Sequence, residues 1–323
     1  MLKRYGYLFM AGLMVIAAGC SSGGSGNDTG TDQSLESSAP VSDADTGNGD
    51  SETSDSADDP YAEATAQTGG VLRVGMECAY APFNWTQSSA EVDADGWEAV
   101  PIYGTSDYAF GYDIIFAQKL ADELGWDLEV HKVDWTSIVL GLQSGDYDVI
   151  IAGMAATDER RETLDFARPY YIRENVMLVK KDGPYANATK LSDFDGATIT
   201  TQISTSWVDY LDQVPNANIA TFPETTSEVV MQVAMGTVDC ALLDYPTAYS
   251  ATLSNPDVTF ISLDSDDTFV TPEGMSEDLC PGVNLGNTVL LDAINTAMDN
   301  MGWDDASMSE NMDLAIKVQP LSE

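Results

Sequence analysis

Residues 142–171 read "LQSGDYDVIIAGMAATDERRETLDFARPYY". The segment "YDVIIAGM" is apolar, β-branched and bounded by turn residues, as a buried strand should be. It runs out into the small residues Gly153, Ala155 and Ala156, and then into two adjacent arginines, Arg160 and Arg161. The whole chain holds 13 Lys+Arg against 53 Asp+Glu, a formal net charge of -40. A cation placed directly after a strand is therefore scarce material in a position where α/β sheets bind ligands.

The pattern on either side supports such a sheet. "VLRVGM" is a strand, "DIIFAQKLADELG" a helix with Gly125 past its end, "WDLEVHKV" a strand and "TSIVLGLQSG" a helix. After "VMLVKK" the alternation restarts through "LSDFDGATITTQ", a helix near "SWVDYLDQV", a strand at "NIATF", a helix in "TTSEVVMQVAMG", the strand "VDCALL", the helix "YPTAYSATLS" and a strand at "VTFISL". "GVNLGN" and a helix in "TVLLDAINTAMDNMG" close the pattern. Two runs of strand–helix–strand predict an α/β protein of two lobes, each a mainly parallel sheet flanked by helices. The segments after strands, "ECAYAPFNW", "AGMAATDER", "ISTSW" and "DYP", are where ligand contacts are expected.

The N-terminus reads differently. "MLKRYGYLFMAGLMVIAAGC" has Lys3 and Arg4, a short apolar run and small residues before Cys20, the form of an export signal and too short for a comfortable membrane span. "AAGC" resembles the lipobox of bacterial lipoproteins, with Ala17 where leucine is usual; the resemblance implies lipidation of Cys20, and an ordinary secretory signal is the alternative. Residues 21–70 are rich in Ser, Gly, Thr, Asp and Glu, too poor in apolar side chains to offset chain entropy, so a disordered acidic tether or solubilising tail is expected. The acidic balance argues against nucleic acid and anionic membrane surfaces as partners. A single His131 and no C-x-x-C spacing leave no metal site, and no cofactor is expected.

Taken in order, "GMECAYAPFNW", "GYDIIFAQKLADELG", the 142–171 segment, "TQISTSW" and "VDCALLDYP" resemble the extracellular solute-binding proteins (family 3) of polar amino acid ABC transporters, over residues 71–320. The resemblance implies a two-lobed, hinge-closing periplasmic-binding-protein-like (type II) fold. Residues 71–180 with 272–323 would form lobe 1 and 181–271 lobe 2, with hinges near "VKKDG" and "DSDDTFVTP".

It also implies roles that chemistry supports. Arg160 would hold the ligand α-carboxylate, because a guanidinium fork makes two parallel charge-assisted bonds, with backbone N–H groups near Gly153 and Ala155 assisting. A surface ion pair with Asp158 or Asp165 is the plainer reading of Arg160, and Arg161 reads as a solvated helix residue. Asp244 matches the ammonium partner, although Asp before Pro246 is also a helix N-cap. Thr205 and Ser206 match a hydroxyl pair reaching the carboxylate, or else cap the next helix. Tyr80 and Trp135 match rings flanking the ligand side chain. Glu77 matches a carboxylate found in relatives that take basic amino acids, so a basic ligand is one candidate.

Three departures stand out: Ala155 where Ser or Thr is usual, Ser204 where glycine is usual, and a long first-lobe loop between Trp85 and Gly111. Cys78 and Cys280 are the disulfide candidates, with Cys240 a buried free thiol. The expected function is capture of a polar amino acid and delivery to an ABC permease by a monomer that is not an enzyme, lipid-anchored on the extracytoplasmic face of the cell membrane. A nutrient sensor, or an enzyme of the same fold such as a dehydratase or lyase, is the rival.

Overall fold

The computed structural model describes residues 59–320; the leader, Cys20 and most of the expected tether lie outside them. Two five-stranded sheets organise the described chain. The first runs Asp127–Lys132, Val71–Met76, Val149–Ile150, Gly282–Asn284, Leu164–Phe166 in spatial order. The second runs Asn218–Ile219, Thr198–Thr200, Cys240–Asp244, Asn175–Lys180, Val258–Ile261. In each, the first three strands pair in parallel and the last two antiparallel. Each sheet is thus mainly parallel, as expected, with one reversed strand, the fourth, which comes from across the hinge. The central strand Cys240–Asp244 is buried along its whole length, as a sheet covered on both faces requires.

That fourth strand moves the first lobe boundary. Asn175–Lys180, expected in lobe 1, pairs with Cys240–Asp244 and Val258–Ile261 of lobe 2. "VKKDG" is accordingly a turn inside lobe 2, with Lys181 N–H donating to the Asp257 carbonyl. The crossing lies earlier, where Tyr171–Ile172 pairs antiparallel with Asp278–Leu279, the two connections running side by side. The restart of the alternation after "VMLVKK" and the family resemblance drew the boundary in the sequence, but strand pairing decides lobe membership.

Local sequence accounts for the helices that frame the cleft. Tyr112–Leu124 ends on Gly125 at φ 68°, a left-handed cap for which glycine carries no Cβ penalty. Thr226–Met235 begins with a capping box between Thr225 and Glu228. The helix expected near "SWVDYLDQV" is a 3-10 helix, Ser206–Gln213.

Other elements were not foreseen. Part of the expected tether is a helix, Ala62–Thr68, anchored by buried Tyr61, whose hydroxyl donates to Glu123. Asp305–Val318 forms a final helix capped by Asp304, its mixed composition hiding the buried Asn311, Met312 and Ala315. The Trp85–Gly111 stretch joins a four-stranded sheet of Ala79–Tyr80, Asn84–Gln87, Tyr108–Phe110 and Val100–Pro101.

The proposed disulfide is absent: Cys78, Cys240 and Cys280 are all free and buried. The segment after Val149–Ile150 lies between the two candidates. Its Ile151 N–H bonds to Gly75 on one side, and its Met154 carbonyl accepts from Cys280 N–H on the other. Two strand spacings come to about 9–10 Å, beyond the roughly 7 Å between Cα atoms that a bridge can span.

Candidate functional site

Between the lobes lies a cavity lined by Glu77, Tyr80, Trp135, Ala152, Gly153, Ala155, Arg160, Arg173, Gln202, Thr205, Ser206 and Trp207. Every lining residue expected from the sequence is there except Asp244. The lining set draws on chain ends after strands of both lobes, so the sheets deliver their C-terminal edges to one place.

Arg160 sits in the short helix Asp158–Arg161, whose cap is the Thr157 hydroxyl, accepting from Arg160 N–H. Its Nη1 donates to the Ala155 carbonyl at 2.8 Å and its Nη2 to the Ser204 carbonyl of lobe 2 at 3.2 Å. The guanidinium lies 5.2 Å from the centroid of the Trp135 ring, a cation–π contact. No carboxylate pairs with it among the described residues, so the surface ion pair with Asp158 or Asp165 is not formed. Burial, and then the nearby Arg173, brings it down to about 10, which still leaves it protonated at neutral pH. Arg161 is exposed, its guanidinium over the ring of Phe166.

The loop before Arg160 is held from behind. Gly153 N–H donates to the Tyr170 hydroxyl, which donates to buried Asp113 Oδ1; Asn84 donates to Asp113 Oδ2. That N–H is therefore committed to the protein rather than to a ligand. Ala155 N–H, by contrast, has no acceptor among the described residues. Gly153 is at φ 62°, and a Cβ there would come within 2.6 Å of the Tyr80 ring, so only glycine admits both the turn and the ring.

Tyr80 crosses the cleft. Its hydroxyl donates to Asp244 Oδ2 at 2.5 Å, while Asp244 Oδ1 accepts from Thr247 N–H at the start of the helix Tyr245–Ser254. Asp244 is fully buried behind Tyr80 and does not line the cavity. Burial raises its pKa against the pull of those hydrogen bonds. The helix-cap reading of Asp244 is thus present in the structure, and the ammonium contact has Tyr80 in its place.

Glu77 lies just past Val71–Met76, and its Oε1 accepts from Gln202 Nε2 of lobe 2 at 2.9 Å. Burial pushes its carboxyl up to about 7, with Asp134 and Asp113 adding repulsion and the Gln202 bond opposing. Trp135 Nε1 donates to the Ser204 carbonyl at 3.1 Å. Ser204 itself stands at φ 59°, which explains in steric terms why glycine suits that turn. The Thr205 hydroxyl turns back to the Gln202 carbonyl rather than capping the 3-10 helix, and Ser206 Oγ accepts from Arg173.

Sequence reasoning missed Ala152, Arg173, Gln202 and Trp207. Gln202 lies just past the strand Thr198–Thr200, inside a segment already singled out, so strand-end logic was able to find it. Arg173 directly follows the hinge strand Tyr171–Ile172, but a two-residue strand leaves no pattern to read; its one signal was the scarcity of cations. None of residues 86–110 lines the cavity.

With this geometry in hand, comparison with known proteins is informative. The sequence model of the bacterial extracellular solute-binding proteins, family 3, matches residues 72–308. The L-cystine-binding protein TcyJ of Escherichia coli (strain K12) is 26% identical over 237 residues, 73% of this chain and 79% of that protein. The arginine-binding extracellular protein ArtP of Bacillus subtilis is 25% identical over 202 residues, 62% of this chain and 75% of its own. An amino acid ABC transporter substrate-binding protein from Streptococcus pneumoniae, solved bound to L-arginine, is similar with a TM-score of 0.65 at 25% identity, over 80% of this chain and 98% of that one.

Proposed function

The chain belongs to the bacterial extracellular solute-binding proteins, family 3, and from that membership we propose that it captures a free polar amino acid between its lobes and presents it to an ABC permease. The observation that carries this reading is Arg160: a guanidinium in the interlobe cavity with no carboxylate partner among the described residues. A zwitterion brings the carboxylate such a group lacks, and desolvating the pair strengthens it. Ala155 N–H adds a second donor, and Trp135 stacks behind the guanidinium. Ligand contact with both lobes favours the closed arrangement over the open one, the only way binding can drive closure.

Glu77 beside Tyr80 and Trp135 was the basis for a basic ligand. Arg173 in the same lining weighs against that choice, as argued below. A second reading, catalysis, is favoured by one observation: a carboxyl at about 7 is in the range of a general acid or base. Mass spectrometry of copurified ligand, followed by calorimetry with the twenty amino acids, tests the first reading. Binding of none of them overturns it, and recovery of an altered ligand after long incubation supports the second. We also propose lipid anchorage through Cys20; Cys20→Ser should release the protein from membranes into the medium, and retention would refute the anchor.

A further inference from the structure

Arg173 is the feature of this cleft that the proposed function leaves unused. It lies between the hinge strand Tyr171–Ile172 and the first strand of lobe 2, Asn175–Lys180, and it lines the same cavity as Arg160. Its Nε donates to Glu277 Oε2 at 2.8 Å, and its Nη2 donates to Ser206 Oγ at 3.0 Å and to the Ser276 carbonyl at 3.5 Å. The Trp207 ring lies 4.8 Å from its guanidinium carbon. Nη1 has no acceptor among the described residues. Glu277 does not line the cavity and is already bonded by Asn175 Nδ2 and the Tyr210 hydroxyl. Those contacts hold the carboxylate and the guanidinium plane in place, with Nη1 left without a protein acceptor among the described residues.

The charges lining the cavity are therefore two guanidiniums, Arg160 and Arg173, and one carboxyl, Glu77. Two more carboxylates lie behind the lining: Asp244 is covered by the Tyr80 hydroxyl, and Glu277 is paired with Arg173 Nε and tied by Asn175 and Tyr210. A basic amino acid would bring two cations and one anion to this lining, leaving like charges together in a desolvated space. An acidic amino acid brings the complement: two carboxylates and one ammonium.

Resting on the proposed function, we infer that Arg173 is a second ligand-binding cation and that the ligand is an acidic amino acid. The α-carboxylate and the side-chain carboxylate take the two guanidiniums, and the ammonium takes Glu77. Trp207, stacked on Arg173, limits its rotation and so holds the second anion position in register with the first.

The test is isothermal titration of the full chain with L-aspartate, L-glutamate, their amides, and L-arginine. The acidic pair should bind most tightly. Arg173→Met should weaken the acidic ligands by about thirtyfold or more, the loss expected for one partner of a desolvated charge pair, while the amides change by less than about threefold. Glu277→Gln is the companion variant: it keeps the guanidinium in the lining, so affinity for acidic ligands should hold or rise. Equal losses in both variants, for acidic ligands and amides alike, would mean a hinge ion pair only and overturn the inference. Tight binding of L-arginine with none of L-glutamate or L-aspartate overturns it too, while leaving the amino acid reading intact; binding of no amino acid removes that reading itself.

Discussion

In each lobe the fourth strand of the sheet comes from the far side of the hinge: Gly282–Asn284 in the first, Asn175–Lys180 in the second. The two sheets share strand order and pairing sense, yet they equip the cleft differently. Lobe 1 contributes Glu77, Tyr80, Trp135 and Arg160, with charge or a large ring on each. Lobe 2 answers with the Gln202 amide, the Ser204 carbonyl, the hydroxyls of Thr205 and Ser206 and one ring, Trp207, while the Asp244 carboxylate meets Tyr80 behind the lining. Under the proposed function this reads as a division of labour: lobe 1 would supply most of the groups that select a ligand, and lobe 2 acceptors and donors that register closure. Arg173, between the lobes, is the exception that joins the two tasks.

The largest effect that can break this comparison is on the lobe 1 cation. Arg160→Ala should weaken ligand binding by about 2–5 kcal/mol, because one desolvated charge of a pair is left alone. Calorimetry reads this directly, and unchanged affinity would return Arg160 to the protein's own carbonyls.

Next is the bond from lobe 1 to lobe 2. Tyr80→Phe leaves Asp244 Oδ2 buried without its donor and should cost about 1–3 kcal/mol of stability in denaturant unfolding. If the loss is absent, Asp244 serves its helix through Thr247 alone.

A smaller effect concerns protons. The Glu77 carboxyl is raised from 4.5 to about 7 in the folded protein. Between those values the folded state holds a proton that the unfolded chain has released. Stability therefore falls as pH rises from about 4.5 to about 7, and this group adds no further slope above that. Glu77→Gln should flatten part of the slope in thermal melts at successive pH. Asp113, raised from 3.8 to about 7 by burial, keeps the remainder. A slope identical in the two proteins would place Glu77 in water rather than against Gln202.

The smallest effect should touch both lobes alike. With a net charge of -40, self-repulsion opposes the compact state. Raising ionic strength from about 0.15 M to 1 M shortens the screening length from about 8 Å to about 3 Å, so Tm should rise by a few degrees. A fall with salt would mean that ion pairs such as Arg73–Asp148 outweigh the repulsion.

Most of the site was legible because its residues obey a local rule. Glu77, Trp135, Arg160, Thr205 and Ser206 follow strands, and a strand's end can be read from apolar runs and turn residues. Arg173 follows a strand of two residues, which leaves no such pattern, and its place depends on where the chain crosses between lobes. The final helix escaped for another reason: "DDASMSENMDLAIKV" buries only a few residues, so its period is faint.

By itself the sequence determined two α/β lobes, most strands of their five-stranded sheets and most helices, and a cation after the strand Val149–Ile150. These follow from periodicity, caps and turn residues, all local along the chain. Tertiary structure decided what is non-local: which lobe takes the strand Asn175–Lys180, why Cys78 and Cys280 stay apart, and that Tyr80 covers Asp244 while Arg173 enters the cavity. Such facts depend on strand order and lobe closure, which bring together residues far apart in the chain.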